Sequence, residues 1–296
     1  MKAHKTDFLT VNDFDSCALE ETIDNAIKMK SNYSCYKDVL KDKTLAMLFM
    51  KTSTRTRISF EAGISKLGGH AIFLDYDKTN FTLGSLADET KCVSRYVDLI
   101  MTRVFGHEQI KAIAKASEVP VINGLSDLHH PCQALADLMT IKEKKGFLDG
   151  LKIAFVGDGN NVCNSLIQAC EKLGLDISVA CPEGFEPAEK SKALDVLHDP
   201  SVAVAGADVV YTDTWVSLGF EAEKEKRLKA FEKFQVNSRL LKLAKQNALF
   251  MHCLPVHRGF EVTDDVIDSK QSIVFDQAEN RMHAQNALML KLSGVM

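Results

Sequence analysis

Apolar runs of strand length alternate with segments whose apolar positions recur at helical spacing along most of the chain. In the first half the runs are 44–50 (TLAMLFM), 70–76 (HAIFLDY), 99–104 (LIMTRV) and 119–125 (VPVINGL). In the second half they are 151–157 (LKIAFVG), 176–182 (DISVACP), 207–212 (ADVVYT) and 248–253 (ALFMHC), with 272–277 (SIVFDQ) as a further candidate. Continuous apolar runs of this kind suit strands covered on both faces, and the intervening helices supply the cover. The pattern predicts an α/β protein of two domains, each a parallel β-sheet flanked by helices. Ser85-Leu86-Ala87-Asp88 reads as the capped start of a helix through Tyr96, leaving 77–84 as a polar loop. Pro131 suits the first turn of a helix over 131–146, the expected connector between domains. Further helices are expected over 164–173 and 279–292.

The polar clusters fall at the carboxyl ends of these strands, where open parallel sheets bind ligands. Ser53-Thr54-Arg55-Thr56-Arg57 follows the first run, Arg103 ends the third, and His129-His130-Pro131-Cys132-Gln133 follows the fourth. In the second half 158–161, 213–219 and 253–258 occupy the same kind of position. Two sheets with facing carboxyl edges would bring all six to one cleft. A hydroxyl-rich strand-to-helix turn has unpaired N–H groups and positive helix-dipole charge, which suits an anion; an ordinary helix cap is the plainer alternative. Arg57 lies about 200° around the helix from Arg55, so the two need not share a ligand.

The net charge of −4 and pI near 6.2 disfavour a nucleic-acid binder while allowing a local pocket for a small anion. Residues 1–10 have no apolar signal-peptide core and no stretch approaches membrane-spanning length, so a cytoplasmic protein with no membrane partner is expected. The eight cysteines lack metal-ligand spacing, and adjacent His252 and Cys253 should point to opposite sides of an extended segment. No metal and no cofactor are expected. Gly157-Asp158-Gly159-Asn160-Asn161-Val162 begins like a dinucleotide-binding turn but has Val162 at the third glycine position and no acidic residue ending the next strand. Asn161 can serve a small ligand through its amide instead.

His130 at a helix start is expected to stay neutral and able to polarise a carbonyl. Cys253 is open as a nucleophile or a substrate contact, and Asp213 as a ligand for an ammonium group or a turn cap. With these residues in place the chain resembles the ornithine carbamoyltransferases, through STRTR (53–57), HPCQ (130–133), DTWVSLG (213–219) and HCLP (252–255), with family-typical sequence from His252 through Gln285. The resemblance covers essentially the whole chain. The first two motifs are shared with aspartate carbamoyltransferases; the last two point to ornithine.

The resemblance implies that carbamoyl phosphate is held by Ser53, Thr54, Arg55, Thr56, Asn80, Arg103, His130, Gln133, Cys253, Leu254 and Arg281, and L-ornithine by Asn161, Asp213, Ser217 and Leu218. Arg55, Arg103, His130, Cys253 and Asp213 are the implied catalytic set. It also implies a carbamoyl-phosphate domain at 1–130 with the C-terminal helix 279–296 returning to it, an ornithine domain at 147–278, and a homotrimer with active sites at subunit interfaces. Asn80 stands where the family usually has glutamine, and Leu218 where it usually has methionine. Aspartate or putrescine as the amine, or an amino-acid or anion binding protein without turnover, are the alternatives.

Overall fold

The computed structural model describes residues 5–216 and 221–295. The chain divides into two compact units, Met1–Glu143 with Glu279–Met296, and Lys144–Ala278. The first unit is built on β1 (Thr44–Phe49), β2 (His70–Asp75), β3 (Leu99–Arg103) and β4 (Val121–Leu125), all parallel, in the order β2-β1-β3-β4. Its helices are α1 (Ser16–Ser31), α2 (Thr54–Lys66), α3 (Leu86–Val93), α4 (His107–Ala116) and most of α5 (Pro131–Lys145). The central strands β1 and β3 are buried almost throughout, as continuous apolar runs require, whereas the edge strand β2 is only partly covered. Ala46, Leu48, Ile100 and Val121 pack against Ile110 and Ile113 of α4, each such burial stabilising by about 1.5–3 kcal/mol for a large side chain.

The second unit carries β5 (Lys152–Val156), β6 (Asp176–Ala180), β7 (Leu194–Leu197), β8 (Val209–Thr212) and β9 (Leu249–His252), parallel, in the order β7-β6-β5-β8-β9. Its helices are α6 (Asn161–Leu173), α7 (Pro200–Val204), α8 (Lys224–Phe231), α9 (Ser238–Leu241) and α10 (Asp264–Ile267). Helix α11 (Val274–Leu292) begins in this unit and ends in the first. Among the described residues, no helix is long and apolar enough to cross a membrane.

The eight firmer strand expectations match β1–β6, β8 and β9. The run 272–277 does not form a strand: Ser272 makes one isolated bridge to Phe250, the N–H of Ile273 donates to the Phe250 carbonyl at 3.0 Å, and α11 starts at Val274. Burial explains the correction. Val274, Gln277, Arg281, Ala284 and Leu288 are buried while Phe275 is 73% exposed, a helical period rather than an alternating one. Helix α6 likewise starts three residues before the expected 164, because Asn160 caps it. Strand β7 escaped the sequence reading because it is a short edge strand with two exposed residues.

Candidate active site

Strand order decides where side chains can converge. In each sheet the chain reverses direction of growth at one place, between β1 and β3 in the first unit and between β5 and β8 in the second, and the loops leaving those strands part to open a crevice. The register sets Phe49 beside Arg103 in the first sheet and Val156 beside Thr212 in the second. The 53–57 turn and Arg103 thus leave adjacent strands of one sheet, as do the 158–161 turn and Asp213 in the other.

In the first unit, Ser53 is extended and caps α2, its Oγ accepting from the N–H of Thr56 at 3.3 Å and donating to Thr56 Oγ1 at 3.1 Å. Thr56 is buried and its Oγ1 also accepts from Arg281 Nη2 at 2.7 Å. Arg281 Nη1 donates to Gln133 Oε1 at 2.7 Å and lies 3.4 Å from His130 Nε2. Gln133 in turn donates to Asp137 at 2.8 Å, which fixes its amide so that the oxygen faces the guanidinium. A guanidinium only donates, so Nε2 of His130 is the acceptor and its proton resides on Nδ1.

His130 is expected from its helix position to be neutral, and it is, for stronger reasons. Burial first, then Arg281, Arg103 and Arg55 in that order, hold its imidazole well below the ordinary histidine range. Three arginines therefore surround one uncharged imidazole, and this arrangement leaves a positive field that an anion can complete. Pro131 opens α5 as expected, with the Gln133 and Ala134 N–H groups returning to the His130 carbonyl. The Cys132 thiol is buried and pushed up to about 12, which keeps it from acting as a thiolate. His130 also rests on a buried neighbour pair: His129 stacks edge-on with His107 at 4.9 Å, and burial followed by the His107 charge lowers its pKa to about 4.

Arg57 turns away from this group, pairing with Glu61 at 3.0 Å and lying 3.8 Å over the Phe73 ring. Thr54 is exposed at the first position of α2. Asn80 is exposed at the start of a 3₁₀ turn, Asn80–Thr82, where its carbonyl accepts from Leu83 and Gly84.

The second unit has the complementary chemistry. Asp213, buried at the end of β8, accepts from the Thr214 N–H at 2.8 Å and the Cys253 thiol at 3.1 Å through Oδ1, and from Asn160 Nδ2 at 2.8 Å through Oδ2. Cys253 is therefore a thiol donor to Asp213 in this arrangement. Asn160 does double duty, since its Oδ1 caps α6 by accepting from Val162 and Cys163. Sequence reading singled out Asn161, the first residue of α6, and missed Asn160 as the side chain that ties this turn to Asp213; its Asx spacing to the helix start was the available signal. Ser217 and Leu218 lie outside the described residues.

His252 corrects an expectation. Its side chain does not diverge from Cys253: ligand atoms of Asp213, His252 and Cys253 all lie within 4.8 Å of one another. The cause is the sharp turn after β9, where Leu254 takes a left-handed φ of 59° and its N–H donates to His252 Nδ1 at 2.8 Å. His252 Nε2 faces Glu261 at 3.2 Å, so both ring nitrogens already have protein partners. Such a ring is poorly placed to give a lone pair to a metal ion.

These two clusters lie at the switch points of two parallel α/β units, the first with the positive charge and donors that suit an anion and the second with a buried carboxylate that suits an ammonium group. The family description "Aspartate/ornithine carbamoyltransferase, carbamoyl-P binding domain" matches residues 6–143, and "Aspartate/ornithine carbamoyltransferase, Asp/Orn binding domain" matches 149–292. The chain belongs to the aspartate/ornithine carbamoyltransferase family. An ornithine carbamoyltransferase of Thermococcus kodakarensis is 54% identical over 97% of this chain and 96% of its own length. The anabolic ornithine carbamoyltransferase of Pyrococcus furiosus is 55% identical over 86% of this chain and 85% of its own. A solved ornithine carbamoyltransferase from that organism superposes with a TM-score of 0.94 at 49% identity, covering 100% of this chain and 99% of that one. The second family match runs on to residue 292, whereas the structure groups Glu279–Met296 with the first unit, where Arg281 reaches Thr56, His130 and Gln133.

Proposed function

We propose that the protein transfers the carbamoyl group of carbamoyl phosphate to the δ-amine of L-ornithine, giving L-citrulline and phosphate. The observation that carries this reading is the division of labour between the two switch points: three arginines around a neutral imidazole at one, and a buried carboxylate with thiol and amide donors at the other. Curated relatives named ornithine carbamoyltransferase support the choice of amine.

The neutral δ-amine attacks the carbonyl carbon, a tetrahedral oxyanion forms, and it collapses by breaking the C–O bond to phosphate, which accepts the amine proton. Ser53, Thr54, Arg55, Thr56 and Arg103 take the phosphate, with Gln133, Leu254 and Arg281 completing the carbamoyl-phosphate site. Arg55, Thr56 and the Nδ1–H of His130 donate to the developing charge. A charged His130 would repel its three arginines, so the neutral form is the one that can donate without titrating near pH 7. Asn161, Asp213, Ser217 and the backbone of Leu218 hold the amino-acid head, with Cys253 orienting Asp213. Bringing two small substrates together removes much of the entropic barrier.

The roles divide along the chain as a carbamoyl-phosphate domain, 1–130 with 279–296, a connector helix at 131–146 and an ornithine domain, 147–278. A homotrimer is the proposed assembly, with Asn80 of a neighbouring subunit reaching the phosphate. Edge strand β2 and its surroundings support a subunit contact, since Ile58, Ile72 and Leu83 are 59%, 39% and 83% exposed. The cellular role proposed is arginine biosynthesis in the cytoplasm, supported by the anabolic relative and by eight free cysteines, which suit a reducing compartment. An assay for carbamoylated product and phosphate with ornithine, aspartate and putrescine side by side tests the reading. Product from ornithine alone is the expected result; product from either other amine, or no product from any of the three, would refute it.

A further inference from the structure

Behind the Asp213 cluster sits an arginine that no motif singled out. Arg227, on α8, is 6% exposed. Its Nη1 donates to Asp158 Oδ2 at 2.7 Å and to the Trp215 carbonyl at 3.1 Å, its Nε donates to Glu223 at 3.2 Å, and its guanidinium lies 5.1 Å over the Phe185 ring. Asp158 belongs to the turn that leaves β5 and Trp215 to the segment that leaves β8, the two edges of the crevice in this sheet. The same two segments are also joined by the bond from Asn160 to Asp213. The 158–161 turn is also fixed from below, for the Gly159 N–H donates to the Phe185 carbonyl at 2.9 Å and a Cβ there would come 2.2 Å from the backbone nitrogen of Pro187. Phe185 in turn packs on Phe231 at the end of α8.

One guanidinium nitrogen thus bridges both edges of the crevice, while Nε of the same rigid fork is held by Glu223, a planar arrangement that a lysine or glutamine side chain does not reproduce. A structural ion pair alone would need only the carboxylate of Asp158. The Trp215 carbonyl is the informative partner, because it lies two residues from Asp213 and belongs to the backbone that sets where Asp213 points. We propose that Arg227 is a positioning residue for the amino-acid substrate: without touching it, Arg227 fixes the spacing between the turn bearing Asn160 and Asn161 and the segment bearing Asp213. This rests on the proposed function for the identity of the amine. Its prediction is selective, since the anion cluster at Thr56, His130, Gln133 and Arg281 belongs to the other unit.

The test compares the wild-type protein with Arg227→Lys, Arg227→Gln and the double variant Arg227→Gln with Asp158→Asn, in which no buried carboxylate is left unpaired. Initial rates give kcat and the KM of each substrate, and thermal melting reports folding. KM for ornithine should rise on the order of tenfold or more in Arg227→Gln and in the folded double variant, less in Arg227→Lys, while KM for carbamoyl phosphate stays within about twofold. A double variant that melts like wild type with wild-type KM for ornithine would show that Arg227 serves stability alone and overturn the proposal. So would equal losses for both substrates. A wild-type protein that makes no citrulline would instead refute the choice of ornithine, which separates the two failures.

Discussion

The two switch-point clusters solve opposite electrostatic problems with the same topology. In the first unit the protein gathers positive charge, and keeps His130 uncharged by burying it among Arg281, Arg103 and Arg55. In the second it buries one carboxylate, Asp213, and satisfies it with uncharged donors from Cys253, Asn160 and the Thr214 backbone. On the proposed function the first cluster receives the phosphate, whereas the second is hydrogen-bonded through Asp213 before its ligand comes. The first cluster should therefore govern turnover, where charge develops, and the second should govern affinity for the amine.

The sharpest way to break that contrast is Arg55→Lys. Losing the planar fork at the developing charge should cut kcat by about 10²–10³-fold with little change in ornithine KM, measured by steady-state kinetics. Near-normal kcat would dissolve the distinction. Next in size, Asp213→Asn should raise ornithine KM by about 10- to 100-fold, the scale of one hydrogen bond to a charged group, and leave direct binding of carbamoyl phosphate unchanged. A matching loss of carbamoyl-phosphate affinity would contradict the separation.

Acid should also distinguish the units. His130, His129 and His107 are all held below the ordinary value near 6.5, chiefly by burial. The unfolded chain then binds protons that the folded one refuses, so the stability due to these neutral imidazoles is present above about pH 6.5 and is lost as pH falls toward 4. In the second unit burial raises the Asp158 carboxyl above its ordinary value despite Arg227, which has the opposite sign. Hydrogen exchange at pH 5 and pH 7.5 should show β3 and β4 losing protection before β5 and β8; the reverse order would count against it. The smallest effect belongs to Arg57→Ala. Its pair with Glu61 is about half exposed, so the stability change should stay within about 1 kcal/mol and kcat near wild type. A large drop in kcat would place Arg57 in the site after all.

Much of the fold was legible because central strands must be apolar on both faces, and TLAMLF or KIAFV leaves little other choice. What escaped had weak or competing patterns. Strand β7 has an exposed edge and too few apolar residues to stand out, and the start of α11 imitates a strand because Ile273 and Val274 are adjacent and both buried. Topology alone puts 53–57, Arg103, His130 and Asp213 at strand ends, although Arg57 turns away from the cluster that Thr56 joins. Arg281 came only from resemblance, since nothing local marks a helical arginine as the partner of Thr56. Asn160 meets Asp213 and Arg227 meets Asp158 across 53 and 69 positions of sequence, and those pairings leave no local signature, whereas the Gln133–Asp137 contact is one helical turn long. The side-chain direction of His252 was misjudged because a left-handed Leu254 interrupts the extended geometry that alternation assumes.

The bond from Arg281 to Thr56 spans 225 positions of sequence. During synthesis this makes the anion pocket a late product. A nascent chain that has made β1 through β4 already carries Arg55, Arg103 and the Ser53 cap of α2, yet the third guanidinium, Arg281, which joins Thr56, His130 and Gln133, is missing until α11 has emerged and docked. Completion of the Thr56–Arg281–Gln133 cluster is thereby tied to the arrival of a segment made after the whole second sheet. A ribosome that stalls anywhere in between leaves behind a chain with a sheet but no complete anion pocket.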